Sequence, residues 1–220
     1  MKPEFCFVAA VPGSSWSMLS HRLKILLDHD LSDMTDHRQQ SLFLESSARG
    51  QMTSHYGSYF GPHNEFGQRF DDIAANYTLD QFYSECRRPF QNGGEKTRSV
   101  RSHWFSYNLD WLWENCRGNT LFLIHKEDQA SVNWWLERGG WEIKHPIYDW
   151  YENTERLTEQ IRIENRYLLD FAQRRGLTWE KYQESWWLER FGADETTERY
   201  RPPRREYESN PISVIYTTIE

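Results

Sequence analysis

The sequence predicts a three-layer α/β fold, in which helices cover both faces of a central parallel sheet. Two mainly apolar runs have the length and composition of strands buried on both faces: the uninterrupted run at residues 5–11 and the sequence TLFLIH at residues 120–125. Amphipathic helical segments follow both runs. Alternation of strands and helices implies parallel strands joined by right-handed crossovers. With 220 residues and no internal repeat, we interpret residues 1–220 as a single domain with a helical C-terminal part.

Composition limits the class of protein. Mean hydropathy is low, at −0.88, but 11 Trp, 12 Tyr and 12 Phe provide enough large side chains for a core. The formal net charge of −7 argues against general nucleic-acid binding, which requires a basic face. The three cysteines are far apart and form no CxxC pair, which indicates reduced thiols in the cytoplasm.

The N-terminal apolar run is short and is broken by Pro12 and Gly13, so we do not interpret it as a secretory leader. No stretch approaches the roughly 20 apolar residues that a membrane span requires. We therefore expect a protein without a membrane span.

The elements follow in order along the chain. The first strand, Phe5 to Val11, is followed by a helix whose apolar residues recur at intervals of three and four. Residues 30–77 are rich in Gly, His, Ser and Gln, and we expect mainly irregular structure there, with one short strand from Ser41 to Leu44. A helix is predicted from Leu79 to Phe90.

The second half begins with two strand–helix pairs. A strand from Thr97 to Trp104 precedes a helix from Asn108 to Cys116, and a strand from Thr120 to His125 precedes a helix from Asp128 to Arg138.

Longer helices follow. One is predicted from Asn153 to Arg175, and another from an N-cap at Thr178 to Arg190, with Gly192 as its end. The last apolar run, Ile212 to Thr218, predicts a final strand.

The first candidate motif is the turn between the first strand and the first helix. A helix N-terminus attracts anions, glycine allows a close approach of the backbone, and serine hydroxyls add donors. Gly13, Ser14, Ser15 and Ser17 supply these groups directly after the buried strand. The full signature GxxxxGK[ST] is absent, which argues against ATP or GTP hydrolysis. Plain helix capping remains the alternative interpretation of this turn.

Two further groups follow later strands. Arg101 and His103 are two residues apart, and alternation along a strand would place both on one face, where a guanidinium could hold an anion beside a basic imidazole. A structurally hydrogen-bonded histidine is the alternative. His125 and Lys126 end the next strand, and polar groups in the following helix could help to grip a second phosphate. Trp134 and Trp135 are interpreted as core residues.

Together these stretches resemble the P-loop-like sulfotransferase family, which uses 3′-phosphoadenosine 5′-phosphosulfate as its donor. The loop from Pro12 to Trp16 is similar to the family's Pro-Lys-Ser-Gly-Thr-Thr-Trp loop, and Arg101-Ser102-His103 is similar to its Lys-Thr-His strand end. The resemblance covers about residues 5–135 and is closest to small, divergent phage and marine environmental members. The loop lysine has no counterpart, since Val11 stands two residues before Gly13, so an inactive or repurposed relative remains open.

The resemblance implies sulfuryl transfer to a hydroxyl or amine of a small-molecule or carbohydrate acceptor, without a metal ion. It assigns His103 as general base and Arg101 as a stabiliser of the leaving phosphate. His125 and Asn133 stand where the family has an Arg and a Ser that grip the 3′-phosphate, with Lys126 and Ser131 beside them, and an arginine-rich segment approximates the family's C-terminal basic loop. The implied donor-binding residues are Pro12, Gly13, Ser14, Ser15, Trp16, Ser17, His125, Lys126, Ser131, Asn133, Arg201, Arg204 and Arg205.

The acceptor side is expected within residues 50–70, which offer His55, Tyr56, Tyr59, His63 and Asn64, although these side chains are equally ordinary in a loop. Three other classes remain open. They are a kinase-like phosphotransferase, a non-catalytic P-loop-fold protein whose C-terminal aromatic residues bind a partner, and a metal-dependent hydrolase using His63, Glu65, Asp71 and Asp72.

Overall fold

A mixed β-sheet organises the chain in the computed structural model, which describes residues 2–32, 58–60, 72–90, 95–137, 140, 152–183, 185–192 and 211–220. Within these residues the sheet has six strands in the order β2-β3-β1-β4-β6-β5. The four strands β2, β3, β1 and β4 are parallel. The strand bounds are β1 Phe5–Ala10, β2 Ser58–Tyr59, β3 Arg98–Arg101, β4 Thr120–Lys126, β5 Glu180–Lys181 and β6 Ile212–Thr218.

The prediction of a purely parallel sheet is wrong at β6. This strand runs antiparallel to β4, with Thr120 opposite Thr218 and Lys126 opposite Ile212, and β5 runs antiparallel to β6. An apolar run indicates a buried strand but has the same pattern in either direction. The direction of β6 depends on the edge of the sheet at which the preceding chain arrives. The sequence of the strand itself carries no information about that position.

Helices lie on both sides of the sheet, as expected. Their bounds are α1 Trp16–Leu27, α2 Ile73–Asn76, α3 Leu79–Arg87, a 3₁₀ helix His103–Asn108, α4 Leu109–Asn115, α5 Asp128–Glu137, α6 Thr154–Arg174 and α7 Trp186–Phe191. Local capping explains several starts: Thr78 and Gln81 form a capping box for α3, and the Asn153 side chain accepts from the backbone N–H of Arg156 at α6. In the described part of the chain, no helix is both long and apolar enough to cross a membrane.

Two apolar clusters fill the space between the layers, because alternate residues of each strand point to opposite faces. On one face, Val8 and Ala10 of β1 pack with Trp16 and Leu19 of α1 and with the tryptophans of α7. On the other, Phe5 and Phe7 pack with residues of α3, α4 and α6. The three-layer arrangement predicted from the sequence is therefore present, with β1 buried throughout.

Two predicted elements differ from the structure. The strand predicted from Thr97 to Trp104 ends at Arg101, because the Ser102 hydroxyl accepts from the backbone N–H of Trp104 and starts the 3₁₀ helix. The helix predicted from Thr178 to Arg190 is wrong in its first half, where β5 pairs with β6, and only Trp186–Phe191 is helical. The strand predicted from Ser41 to Leu44 lies outside the described residues.

A buried histidine makes stability depend on pH. His29 is 5% exposed, its Nδ1 lies 2.8 Å from the Ser99 hydroxyl, and burial lowers its pKa to about 4. Between an unfolded pKa near 6.5 and that value the unfolded chain binds the proton and the folded chain does not, so the unfolding free energy falls as pH falls. The loss through His29 at pH 5 is about 2 kcal/mol relative to pH 7.5.

Urea unfolding at pH 7.5 and pH 5 measures this dependence. Burial also lowers the pKa of His21 and of His125, so these two histidines likewise reduce the unfolding free energy as pH falls. His29→Asn retains a polar partner for Ser99 but does not titrate, and it should show a smaller loss of stability between the two pH values. Equal losses in the two proteins would contradict the assignment to His29.

Candidate anion-binding site

A tight turn follows the carboxyl end of β1. The backbone N–H of Ser14 donates to the Val11 carbonyl over 3.2 Å, with Pro12 and Gly13 at the two central positions. Gly13 has φ +75°, as the third residue of a type II turn requires. A Cβ atom on Gly13 would lie 1.9 Å from the backbone oxygen of Ser131, so glycine is required here by conformation and by space.

The first turn of α1 presents its N–H groups beside this turn. Ser15, the N-cap, has φ 67° and ψ 20°, a left-handed conformation that few residues other than glycine adopt. The Ser15 side chain makes no capping hydrogen bond, and no acidic residue lies in the first turn of α1. Ser14 is fully buried, and its hydroxyl oxygen has no hydrogen-bond partner in the structure as described. Gly13, Ser15 and Ser17 are partly exposed, so a ligand can reach the turn.

The neighbouring helix α5 shows the opposite arrangement. The Glu127 carboxylate accepts from the backbone N–H of Gln129 over 3.1 Å and from that of Ala130 over 2.8 Å. The chain's own carboxylate therefore occupies the N-terminus of α5, where an anion would otherwise bind. The start of α1 is the better candidate for an external anion.

Two buried cations flank the turn. Arg101 is 0% exposed and ends β3, and its Nη1 donates to the Ser17 hydroxyl over 3.1 Å. Lys126 is 1% exposed and ends β4, and its Nζ donates to the Gly13 carbonyl over 3.4 Å. Because β3 and β4 are the two neighbours of β1, these cations lie on either side of the strand that leads into the turn.

Strand register explains why both cations reach the same side. Arg101 is opposite Val8 in β1, whose side chain packs on the α1 face. Lys126 lies four residues after Phe122 in β4, so its side chain points to the same face as that of Phe122, which also packs on the α1 face. His125 therefore points to the other face, where its ring lies 5.6 Å from that of Trp179. Burial in that environment lowers the pKa of His125.

His103 lies at the edge of this site with its ring orientation defined. Its Nδ1 is 2.6 Å from the Ala10 carbonyl oxygen, and because a carbonyl only accepts, Nδ1 carries the hydrogen. In the neutral ring, Nε2 is then the basic nitrogen. The imidazole stacks on the Trp16 indole, with centroids 4.0 Å apart and an interplanar angle of 21°.

The structure brings together most of the residues proposed from the sequence and separates others. The strand-face argument for Arg101 and His103 is wrong, since β3 ends at Arg101, yet both residues contact Trp16. Asn133 is exposed and its Oδ1 accepts from Gln129, and the Ser131 hydroxyl donates to the backbone oxygen of Lys126. The residues gathered at the site are Pro12, Gly13, Ser14, Ser15, Trp16, Ser17, Arg101, His103, Lys126 and Ser131.

Some proposed residues cannot be placed. Arg201, Arg204 and Arg205 lie outside the described residues, as do His55, Tyr56, His63, Asn64, Glu65 and Asp71 and the side chain of Tyr59. Among the residues that are described, no group of three or more His, Cys, Asp or Glu side chains could hold a metal ion.

Two contributors were not anticipated. The Ala10 carbonyl sets the hydrogen position on His103, and no sequence pattern identifies a backbone acceptor of this kind. Asn165 of α6 donates to the backbone oxygen of Lys126 over 2.8 Å and to Asp128 over 2.6 Å, which secures the end of β4. Asn165 lies four residues after Ile161 and three before Leu168, so helical spacing could have placed it on the buried face, but no pattern identifies its bond to the end of β4.

Comparisons of the chain with protein-family models, with curated proteins and with solved structures found no match. The functional argument therefore depends on the geometry of the turn and its neighbours.

Proposed function

We propose that the protein is a sulfotransferase, which moves a sulfuryl group from 3′-phosphoadenosine 5′-phosphosulfate to a hydroxyl or amine of a small-molecule or carbohydrate acceptor. The observation that supports this proposal most is the group formed by the glycine turn at the start of α1, two buried cations and an imidazole with a defined basic nitrogen. The resemblance of the turn from Pro12 to Trp16 to the sulfotransferase loop adds to it. A cytoplasmic location is part of the same proposal.

The charges favour a phosphate-bearing ligand. A chain with a net charge of −7 nevertheless buries Arg101 and Lys126 beside one turn. A phosphate or sulfate at the start of α1 would lie beside both cations, and charge-assisted hydrogen bonds to such an anion are among the stronger ones in proteins. The N–H groups of the first helical turn would donate to the same ligand.

The same residues suggest how transfer proceeds. His103 Nε2 takes the proton of the acceptor hydroxyl while the acceptor oxygen attacks the sulfur atom. The new S–O bond forms as the bond between sulfur and the 5′-phosphate oxygen breaks, and the bisphosphate leaves with the electron pair. Arg101 and the N–H groups at the start of α1 stabilise the negative charge that grows on this phosphate. Lys126 fixes the turn through the Gly13 carbonyl and adds positive charge.

Calorimetric titration with 3′-phosphoadenosine 5′-phosphate, ADP and ATP with magnesium tests the proposal. We expect a micromolar Kd for the bisphosphate, at about −8 kcal/mol, and at least about tenfold weaker binding of the other two nucleotides. Tight binding of magnesium ATP alone would indicate a kinase-like enzyme instead. Heat changes for none of the three would indicate a protein without a donor site.

Adjacent residues provide a matched pair of variants. Lys126→Met removes a charge on the α1 face and should weaken bisphosphate binding roughly 10- to 100-fold, the value of one charge-assisted hydrogen bond. His125→Gln changes the neighbouring side chain on the opposite face and should leave the Kd within about twofold. The reverse order would contradict the proposed position of the site.

A further inference from the structure

We propose that Trp16 is a positioning residue for His103, which holds the imidazole in the orientation that points Nε2 toward the acceptor. This inference depends on the proposed function for its catalytic meaning, but the positioning itself is a property of the two rings. The indole and imidazole centroids are 4.0 Å apart and the rings are within 21° of parallel. This is direct face-to-face contact.

The Trp16 indole is held in place by the apolar core. Trp16 is the first residue of α1 and is 6% exposed, and it packs in the cluster that contains Leu19, Leu23 and Ala10. A large aromatic side chain packed in a core has few alternative rotamers, since interiors are closely packed. The stacked imidazole therefore rests on a rigid surface.

Stacking restricts a motion that the hydrogen bond from Nδ1 to the Ala10 carbonyl does not. That bond fixes the position of one atom of the imidazole, whereas contact with the indole face restricts tilting of the ring about the bond. Stacking against a flat surface removes the tilt and so fixes the direction of Nε2. The π face of the indole also favours the imidazolium that forms when His103 accepts a proton.

The same indole lies next to the cation. The guanidinium carbon of Arg101 is 5.1 Å from the centre of the Trp16 ring. Trp16 thus contacts both the proposed base and the group proposed to stabilise the leaving phosphate. The Trp16 ring therefore sets the spacing between the His103 imidazole and the Arg101 guanidinium. Transfer requires that these two groups be placed precisely.

Nuclear magnetic resonance of the full chain labelled with ¹⁵N-histidine tests the inference without any substrate. His103→Gln identifies the His103 signals among the eight histidines. In the unmodified protein we expect upfield-shifted ring protons and the tautomer with hydrogen on Nδ1. Trp16→Phe should keep the upfield shift in reduced form together with a fixed ring orientation. Trp16→Leu should lose the shift and show averaged nuclear Overhauser contacts of the imidazole ring, while the Ala10 carbonyl keeps the hydrogen on Nδ1.

Titration of the unmodified protein with 3′-phosphoadenosine 5′-phosphate tests the proposed function separately. Trp16 also belongs to the proposed donor-binding turn, so the ring orientation of His103 is compared among the variants in the absence of nucleotide. Unchanged His103 signals in Trp16→Leu would overturn the inference. If the unmodified protein does not bind the bisphosphate, the proposed function fails while the His103 signals still decide the ring contact. Unchanged signals of His29 in each variant show that the fold is retained.

Discussion

Alanine at position 103 is expected to lower turnover at least about a hundredfold, because general-base catalysis contributes factors of this size. The Ala10 carbonyl leaves Nε2 as the basic nitrogen of the neutral ring, so the side chain is prepared to accept the acceptor's proton. His103→Ala removes the base but leaves the turn, Arg101 and Lys126 in place. Turnover is measured as release of 3′-phosphoadenosine 5′-phosphate from the sulfate donor at saturating acceptor.

The affinity for the bisphosphate is the control for this variant and should stay within about twofold. Normal turnover in His103→Ala would show that another group is the base.

Alanine at position 13 is expected to disrupt the turn and abolish anion binding. Its Cβ would lie 1.9 Å from the Ser131 backbone oxygen, and the φ of +75° is unfavourable for any residue with a side chain. The backbone of the turn or the start of α5 must then move. We expect a loss of about 3 kcal/mol or more in unfolding free energy, from left-handed strain and overpacking together, and a loss of bisphosphate affinity beyond tenfold.

Gly118→Ala is the matched control for Gly13→Ala. Gly118 has a similar φ of +79°, but a Cβ there would meet nothing within 4 Å. It should therefore show only the conformational part of the effect, about 1–2 kcal/mol in urea unfolding, with unchanged affinity. Equal losses for the two variants would mean that the contact between Gly13 and Ser131 does not constrain the turn.

The elements that the sequence predicts best are those determined by local patterns. β1 is an uninterrupted apolar run, β4 has four consecutive apolar residues at its centre, and the turn after β1 follows from Pro12 and Gly13. The elements that sequence reasoning missed depend on distant pairing. Glu180–Lys181 has helical propensity but pairs with β6, and contacts of this kind override local preference.

The sequence predicts which strand ends lie near the turn, but it does not predict which side chains face it. Adjacent parallel strands bring their carboxyl ends together, so Arg101 and Lys126 could be expected near the turn. Which of His125 and Lys126 faces α1 depends on the phase of alternation in β4, and a strand that is apolar on both faces conceals that phase. Asn133 follows His125 by eight residues, the spacing that the resemblance implies for the phosphate-binding serine, but the structure places it on the exposed side of α5.

A crystal structure of the complex with 3′-phosphoadenosine 5′-phosphate is the most direct test of the proposed site. We predict the 5′-phosphate at about 3 Å from backbone nitrogens at the start of α1, beside the Arg101 guanidinium, with His103 Nε2 directed to the open side of that phosphate. A nucleotide bound away from the Gly13 turn would contradict the proposed site. So would a His103 imidazole whose Nε2 points away from the bound phosphate.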